Sequence, residues 1–200
     1  MVLEFIPSQF KKPSGLLGLF SGNLMAKHNR KNYNLIIKDL AIQPNDKLLE
    51  IGYGPGIGIR MIAETCSTCT IHGIDFSRLM FKRARKYNKQ FIDNGKVQLQ
   101  YGDFLKGNIE HNDYDKIFCL NVIYFWNDLK EPFEKIFSLL KPAGSFHIYM
   151  ADKTFLQEKN TPDTVFNKYS LEQVVAALKS AGFKSVDHFT TNGHYIKSNK

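Results

Sequence analysis

Residues 48–56 of this chain read Leu-Leu-Glu-Ile-Gly-Tyr-Gly-Pro-Gly, and no other stretch limits the fold as tightly. A short apolar run that stops at clustered glycines reads as a strand entering a tight turn. The residues from Ile57 onward then read as a helix. Glycines there let the backbone approach a ligand, and the first N–H groups of the following helix remain free to bind it. The spacing narrows the ligand. A nicotinamide-dinucleotide fingerprint requires G-x-G-x-x-G. Counted from Gly52 the third position falls on Ile57, and counted from Gly54 it falls on Ile59, so both counts fail. A phosphate loop would need Gly-Lys-Ser/Thr, which does not follow. What remains is G-x-G-x-G, formed by Gly52, Gly54 and Gly56, with Glu50 ahead of it.

The same strand-then-helix unit recurs along the chain. Strands are predicted at Lys47–Ile51, Thr70–Ile74, Val97–Tyr101, Lys116–Leu120 and Ser145–Met150. Helices are predicted after the glycine turn to Glu64, over Arg78–Lys89 and near Glu131–Leu140. Such alternation implies a parallel sheet covered on both faces. Near the N-terminus, Leu35, Ile36 and Leu40 recur at helical spacing in a segment from Asn29 to Leu40. The C-terminal part departs from the pattern. Ser170 and Gln173 form a capping box ahead of Leu171, Val174, Val175 and Leu178, and Gly182 ends that helix. Phe183–Thr190 and His194–Lys197 then flank Asn192-Gly193, a hairpin signal. The reading is a single α/β, Rossmann-like domain over residues 1–200. Its mostly parallel seven-stranded sheet ends in an antiparallel hairpin, with helices on both faces.

Composition bounds the remaining choices. A chain of 200 residues with 43% apolar and 23% charged residues is an ordinary globular domain. No run of apolar residues reaches the 18 or so needed to span a membrane. The patch Leu16-Leu17-Gly18-Leu19-Phe20 is too short and too interrupted for a signal peptide. Three cysteines suggest reduced thiols and a cytoplasmic protein. A zinc site wants about four ligands, and Cys66-x-x-Cys69 has only His72 nearby, so no metal is expected. The net charge of +8 favours anionic partners, but only five of the 27 basic residues are Arg, which disfavours specific nucleic-acid reading.

Glu50-x-Gly52-x-Gly54-x-Gly56 resembles the first motif of the class I S-adenosylmethionine-dependent methyltransferases. The segment Gly73-Ile74-Asp75-Phe76-Ser77, with Met80 and Ala84 beyond it, resembles the next motif. Gly102-Asp103-Phe104, Asp115–Asn121 and Leu139–Gly144 occupy the family's later strand ends and turns. The resemblance implies S-adenosylmethionine as cofactor. It implies that Asp75 accepts from both ribose hydroxyls, that Asp103 accepts from the adenine amino group, and that Phe104 or Phe76 packs on the ring. Glu50, the three glycines, Met80 and Asn121 complete the expected donor site. Each acid also has a plainer reading, Asp75 as a helix-entry charge and Asp103 and Asn121 as turn formers. Residues 1–40 resemble the N-terminal helical lid that small-molecule members fold over the cofactor, leaving 41–200 as the core.

The acceptor is less constrained. His28, Tyr33 and Tyr124 are candidates to face donor or acceptor, with surface or core packing as the alternative. Tyr124-Phe125-Trp126 follows the fourth strand and would suit a planar or lipid-like acceptor. The Asn121-Val122-Ile123-Tyr124 segment lacks the proline of nucleic-acid amino-methyltransferase motifs. A small-molecule acceptor, as in ubiquinone and menaquinone methyltransferases, is therefore favoured. RNA or phospholipid methylation, prompted by the basic residues Lys82, Arg83, Arg85, Lys86 and Lys89, which read more simply as a solvated helix face, and a non-catalytic donor-binding module are the alternatives. His147 reads as structural, and His194, beside the hairpin turn, is expected to be exposed. Oligomeric state is not defined by the sequence.

Overall fold

The computed structural model describes residues 30–109, 113–158 and 166–200. Its strands are β1 (Lys47–Ile51), β2 (Thr70–Asp75), β3 (Val97–Tyr101), β4 (Tyr114–Leu120), β5 (Leu140–Met150), β6 (Ser185–Thr190) and β7 (His194–Asn199). They form one seven-stranded sheet in the order β3-β2-β1-β4-β5-β7-β6. The first five strands pair in parallel, and β7 runs antiparallel between β5 and β6. The crossover helices are α2 (Ile57–Thr65), α3 (Arg78–Tyr87), α4 (Lys89–Asp93) and α5 (Lys130–Leu139). A short α6 (Lys153–Glu158), which the sequence reading did not anticipate, follows β5. The capping-box helix is α7 (Leu171–Ser180).

Alternation along each strand sends side chains to opposite faces. Leu49, Ile51, Ile117 and Cys119 pack on one face with Phe133 and Ile136 of α5 and Leu178 of α7. Leu48, Phe118 and Leu120 pack on the other with Ile59 and Ile62 of α2 and Ala84 of α3. Glu50 shares the parity of Leu48 and so points into this second layer. The same layer contains Ile36 and Leu40 of α1 (residues 30–40). Polar pairs add to α1's apolar contacts: the Tyr195 hydroxyl donates to Asn32 Oδ1 at 2.9 Å in a buried contact, and half-buried Asp39 meets His147 Nδ1 at 2.8 Å. The described part of the N-terminal segment is thus packed on the sheet. The remainder of the expected lid, His28 included, lies outside the described residues.

Several local expectations change. Ser170 and Gln173 form both bonds of the capping box, and the Asn192-Gly193 hairpin is present. Its connection is the three residues 191–193, and neither Asn192 nor Gly193 takes the positive φ of a type I′ turn. β5 begins at Leu140, earlier than expected, because the Pro142–Gly144 turn is absorbed as an irregularity in its pairing with β4. His194 is buried, not exposed, since its ring lies between Asp152 Oδ2 at 2.8 Å and Thr190 Oγ1 at 2.9 Å. The free-thiol reading holds only for buried Cys119. Cys66 and Cys69 form a disulfide, because the α2–β2 turn brings their Cα atoms to 5.6 Å, within disulfide range.

Candidate cofactor and active site

The C-terminal ends of β1, β2, β3 and β4 lie side by side and their loops enclose a cleft. Open parallel sheets bind ligands at this edge. Gly52, Gly54, Asp75, Met80, Asp103 and Asn121 line it, with Phe76, Phe104, Phe125 and Trp126 as its aromatic wall. Most of the sequence-derived donor residues are therefore brought together from four separate strand ends.

The glycine turn is shaped by contact as well as by backbone freedom. Gly52 has φ +72°, and a Cβ there would lie 2.5 Å from Val122 Cγ2. A side chain would both strain the backbone and drive β1's loop from β4's. Gly52→Ala is expected to destabilise the fold by roughly 1–3 kcal/mol, read as a fall in chemical-denaturation midpoint. Gly56 does not line the cleft. It closes the packing of α2 on α3, where a Cβ would lie 2.9 Å from that of Ala84, and its carbonyl accepts from Asn88 Nδ2. At Gly54 a Cβ would meet nothing within 4 Å, so the space beside it is open.

Asp75 holds the site's geometry. One carboxylate oxygen accepts from the Gly54 N–H at 2.8 Å and the other from the Ser77 N–H at 2.8 Å. The side chain thus ties the glycine turn to the start of α3, which Ser77 caps. Burial pushes its pKa up to about 6, against the pull of those two N–H groups. An ionised carboxylate offers about four lone-pair sites, so each oxygen retains acceptor capacity. Asp103 is exposed, and its Oδ1 accepts from Leu105 N at 2.9 Å. It is a turn former that also lines the cleft.

Three candidates are placed elsewhere. Glu50 is 0% exposed and stands behind the glycine turn, where its Oε1 accepts from the Tyr33 hydroxyl at 2.7 Å. Burial, helped by the charge of Asp75, pushes its pKa up to about 8. Tyr33 is consumed in that contact and does not line the cleft. Tyr124 is buried, and its hydroxyl donates to Asn121 Oδ1 at 3.0 Å and accepts from Ala151 N. It braces the ends of β4 and β5, and burial holds its phenol well above the usual range. Among the described residues, the catalytic candidates Tyr33 and Tyr124 are therefore held in buried contacts and do not line the cleft. Asn121 takes φ +58° at the end of β4, a strained position of the kind that clusters at ligand sites.

The sequence reading missed Lys135. From α5 its ammonium donates to the carbonyls of Phe104, Leu105 and Gly107 at 2.7, 3.2 and 2.9 Å. It therefore fixes the loop that carries Asp103 and Phe104. Nothing in the local pattern marks it, because its partners lie about thirty positions earlier in the chain. Lys135→Met is expected to cost roughly 1–3 kcal/mol and to weaken ligand binding at the Phe104 side, measurable by calorimetry. Val122 and Pro55 also line the cleft without having been singled out. Among the described residues no group of three or more His, Cys, Asp or Glu could hold a metal, and no helix is long and apolar enough to cross a membrane.

Residues 48–144 match the methyltransferase-domain family. The uncharacterized methyltransferase YdaC of Bacillus subtilis is 30% identical over 169 residues, 84% of this chain and 88% of that protein. The sterol 24-C-methyltransferase ERG6 of Saccharomyces cerevisiae is 24% identical over 177 residues, 82% of this chain but 46% of that protein. The chain therefore spans about half the length of the sterol enzyme. A Haemonchus contortus phosphoethanolamine N-methyltransferase 2, solved with S-adenosyl-L-methionine, shares the fold at TM-score 0.73 and 18% identity, over 86% of this chain and 52% of that one. The domain match and the Bacillus relative define a class of enzyme, the transferases built on a Rossmann-like sheet. The chain belongs to the class I S-adenosylmethionine-dependent methyltransferases, with S-adenosylmethionine as its cofactor.

Proposed function

We propose that this enzyme methylates a small, largely apolar acceptor, with Asp75 on the donor's ribose and Asp103 on its adenine amino group. Phe76, Met80 and Phe104 pack on the adenine. Gly52, Gly54 and Asn121 offer backbone and amide groups to the donor's amino-acid end. The observation that carries the acceptor class is the aromatic wall beyond those adenine contacts, where Phe125 and Trp126 stand beside Phe76 and Phe104 with ring centroids 6.5 and 6.1 Å apart. Phe125 continues to Phe166 at 5.4 Å. Such a surface favours a planar or lipid-like body over a charged one. The sterol methylation for which relatives such as ERG6 are named is consistent with this reading.

The donor brings an activated methyl group on a sulfonium, so much of the chemistry is the cofactor's. When bound, the donor would supply that methyl in line to an electron pair of the acceptor, with the carbon–sulfur bonding pair left on sulfur. The chain must hold the acceptor atom about 3 Å from the methyl carbon, in line, and exclude water. The aromatic wall excludes water, while Asp75 and the glycine turn fix the donor. The test is incubation with methyl-labelled donor and extract separated into metabolite, lipid and RNA fractions. Label in the metabolite or lipid fraction, lost in Asp75→Ala, is expected. Label confined to RNA would overturn the acceptor class. Donor binding without label in any fraction would favour a donor-binding module.

A further inference from the structure

A second surface lies outside the cleft. Arg78, Lys82, Arg85 and Lys86 on α3 line an open groove with Phe81 and Tyr101. These four cations stand at spacings of three and four residues, so they share one helix face. Residues 77–92 contain no Asp or Glu, and three of the chain's five arginines fall within residues 78–85. Asp93 also borders the groove, but it pairs with Lys89 at 2.6 Å.

Helix stability does not account for the pattern. Arg85 and Lys86 lie in the last turn of α3, where the helix dipole favours a cation. Arg78 lies in the first turn, where the dipole disfavours one. Arg78, Lys82 and Lys86 follow one another at i,i+4, a like-charge arrangement that destabilises a helix. No carboxylate among the described residues forms an ion pair with any of the three. An anionic occupant would remove this repulsion.

The aromatic residues specify the anion further. Tyr101 is 48% exposed at the end of β3, with its ring centroid 6.1 Å from that of Phe81. The Arg85 guanidinium lies 5.5 Å from the Phe81 centroid. Cations beside an exposed ring, Tyr101, and a half-buried one, Phe81, form the combination that binds a sugar–phosphate backbone and stacks its bases. From Arg78 to Lys86 the helix rises about 12 Å, which matches three or four nucleotides stacked at about 3.4 Å each. Insertion into a lipid interface needs a projecting apolar face, whereas here the rings are set in a groove among cations.

We propose that this groove binds single-stranded nucleic acid, independently of the acceptor reading above. The test is fluorescence anisotropy of labelled 12-nucleotide RNA and DNA strands, with the wild-type protein and with Lys82→Gln/Arg85→Gln/Lys86→Gln. The triple variant is expected to bind at least about tenfold more weakly and to lose about two units of the log–log salt slope. Tyr101→Ala should weaken strand binding about fivefold or more while leaving binding to dextran sulfate unchanged. Donor binding, read by quenching of Trp126, checks that each variant is folded. Equal binding of strands by wild type and triple variant would overturn the proposal. So would loss of dextran sulfate binding in parallel with the strands in Tyr101→Ala, or binding of anionic phosphatidylserine vesicles but not strands. Methylation of the bound strand would leave this proposal standing and overturn the small-molecule acceptor.

Discussion

Replacing Asp75 with alanine is expected to weaken S-adenosylmethionine binding by at least about 1.5 kcal/mol, or more than tenfold. Two losses combine. On the proposed placement of the donor, its ribose hydroxyls lose a charge-assisted acceptor. The glycine turn loses the contact at Gly54 N, and α3 loses the one at Ser77 N. Trp126 is the chain's only tryptophan and lines the cleft, so quenching of its fluorescence reports binding directly. The wild type should also show a pH signature. Burial raises the Asp75 pKa to about 6, so the carboxyl gains a proton below that pH and loses acceptor capacity. Donor affinity should therefore fall as pH drops from 7 to 5, and Asp75→Asn should remain weak and flat across that range. Undiminished binding by Asp75→Ala would remove this residue from the donor site.

Glu50 carries the second large effect, on stability. Glu50→Ala leaves the Tyr33 hydroxyl buried without its acceptor and opens a cavity behind the glycine turn. The expected loss is roughly 2–4 kcal/mol. Glu50→Gln retains an acceptor for Tyr33 and removes the titration. The sign follows from the raised folded pKa of about 8, against 4.5 for the free side chain. Between those values the folded state holds a proton that the unfolded state has released, so stability falls as pH rises. Asp75 has the same sign, but its window closes near its own pKa of about 6. Buried His147, with its lowered pKa, acts with the opposite sign, and about three-quarters of its titration in the unfolded chain is over by pH 7. The interval from pH 7 to 8 is therefore dominated by Glu50. There the wild type should lose about 1 kcal/mol, or some 2–4 °C in Tm, and Glu50→Gln should lose much less. Identical pH slopes in the two proteins would show that Glu50 is already ionised in the fold.

Glu50 also marks the boundary of what its motif conveys. Its position ahead of Gly52 is local and legible, but the direction of its side chain is not. The parity it shares with Leu48 turns it toward α1, and its partner Tyr33 lies 17 residues away. Tyr124 is similar. A tyrosine after a strand reads equally as a wall of the site or as a brace, and only the backbone at Ala151, 27 residues on, makes it a brace.

The sequence by itself determined the strand–helix alternation, the glycine turn, the capped α7 and the closing hairpin. Each is written in residues within one or two turns of one another, where periodicity, capping and φ preference act directly. It also located Asp75, Asp103 and Asn121, because strand ends can be read locally and parallel strands bring those ends together. The tertiary structure alone decided which of these groups reach the cleft, that Lys135 secures the Phe104 loop, that Cys66 and Cys69 are bonded, and that a cationic groove flanks β3. Those outcomes depend on side-chain direction and on partners distant in the chain. Burial and long-range packing set both, and no local pattern encodes them.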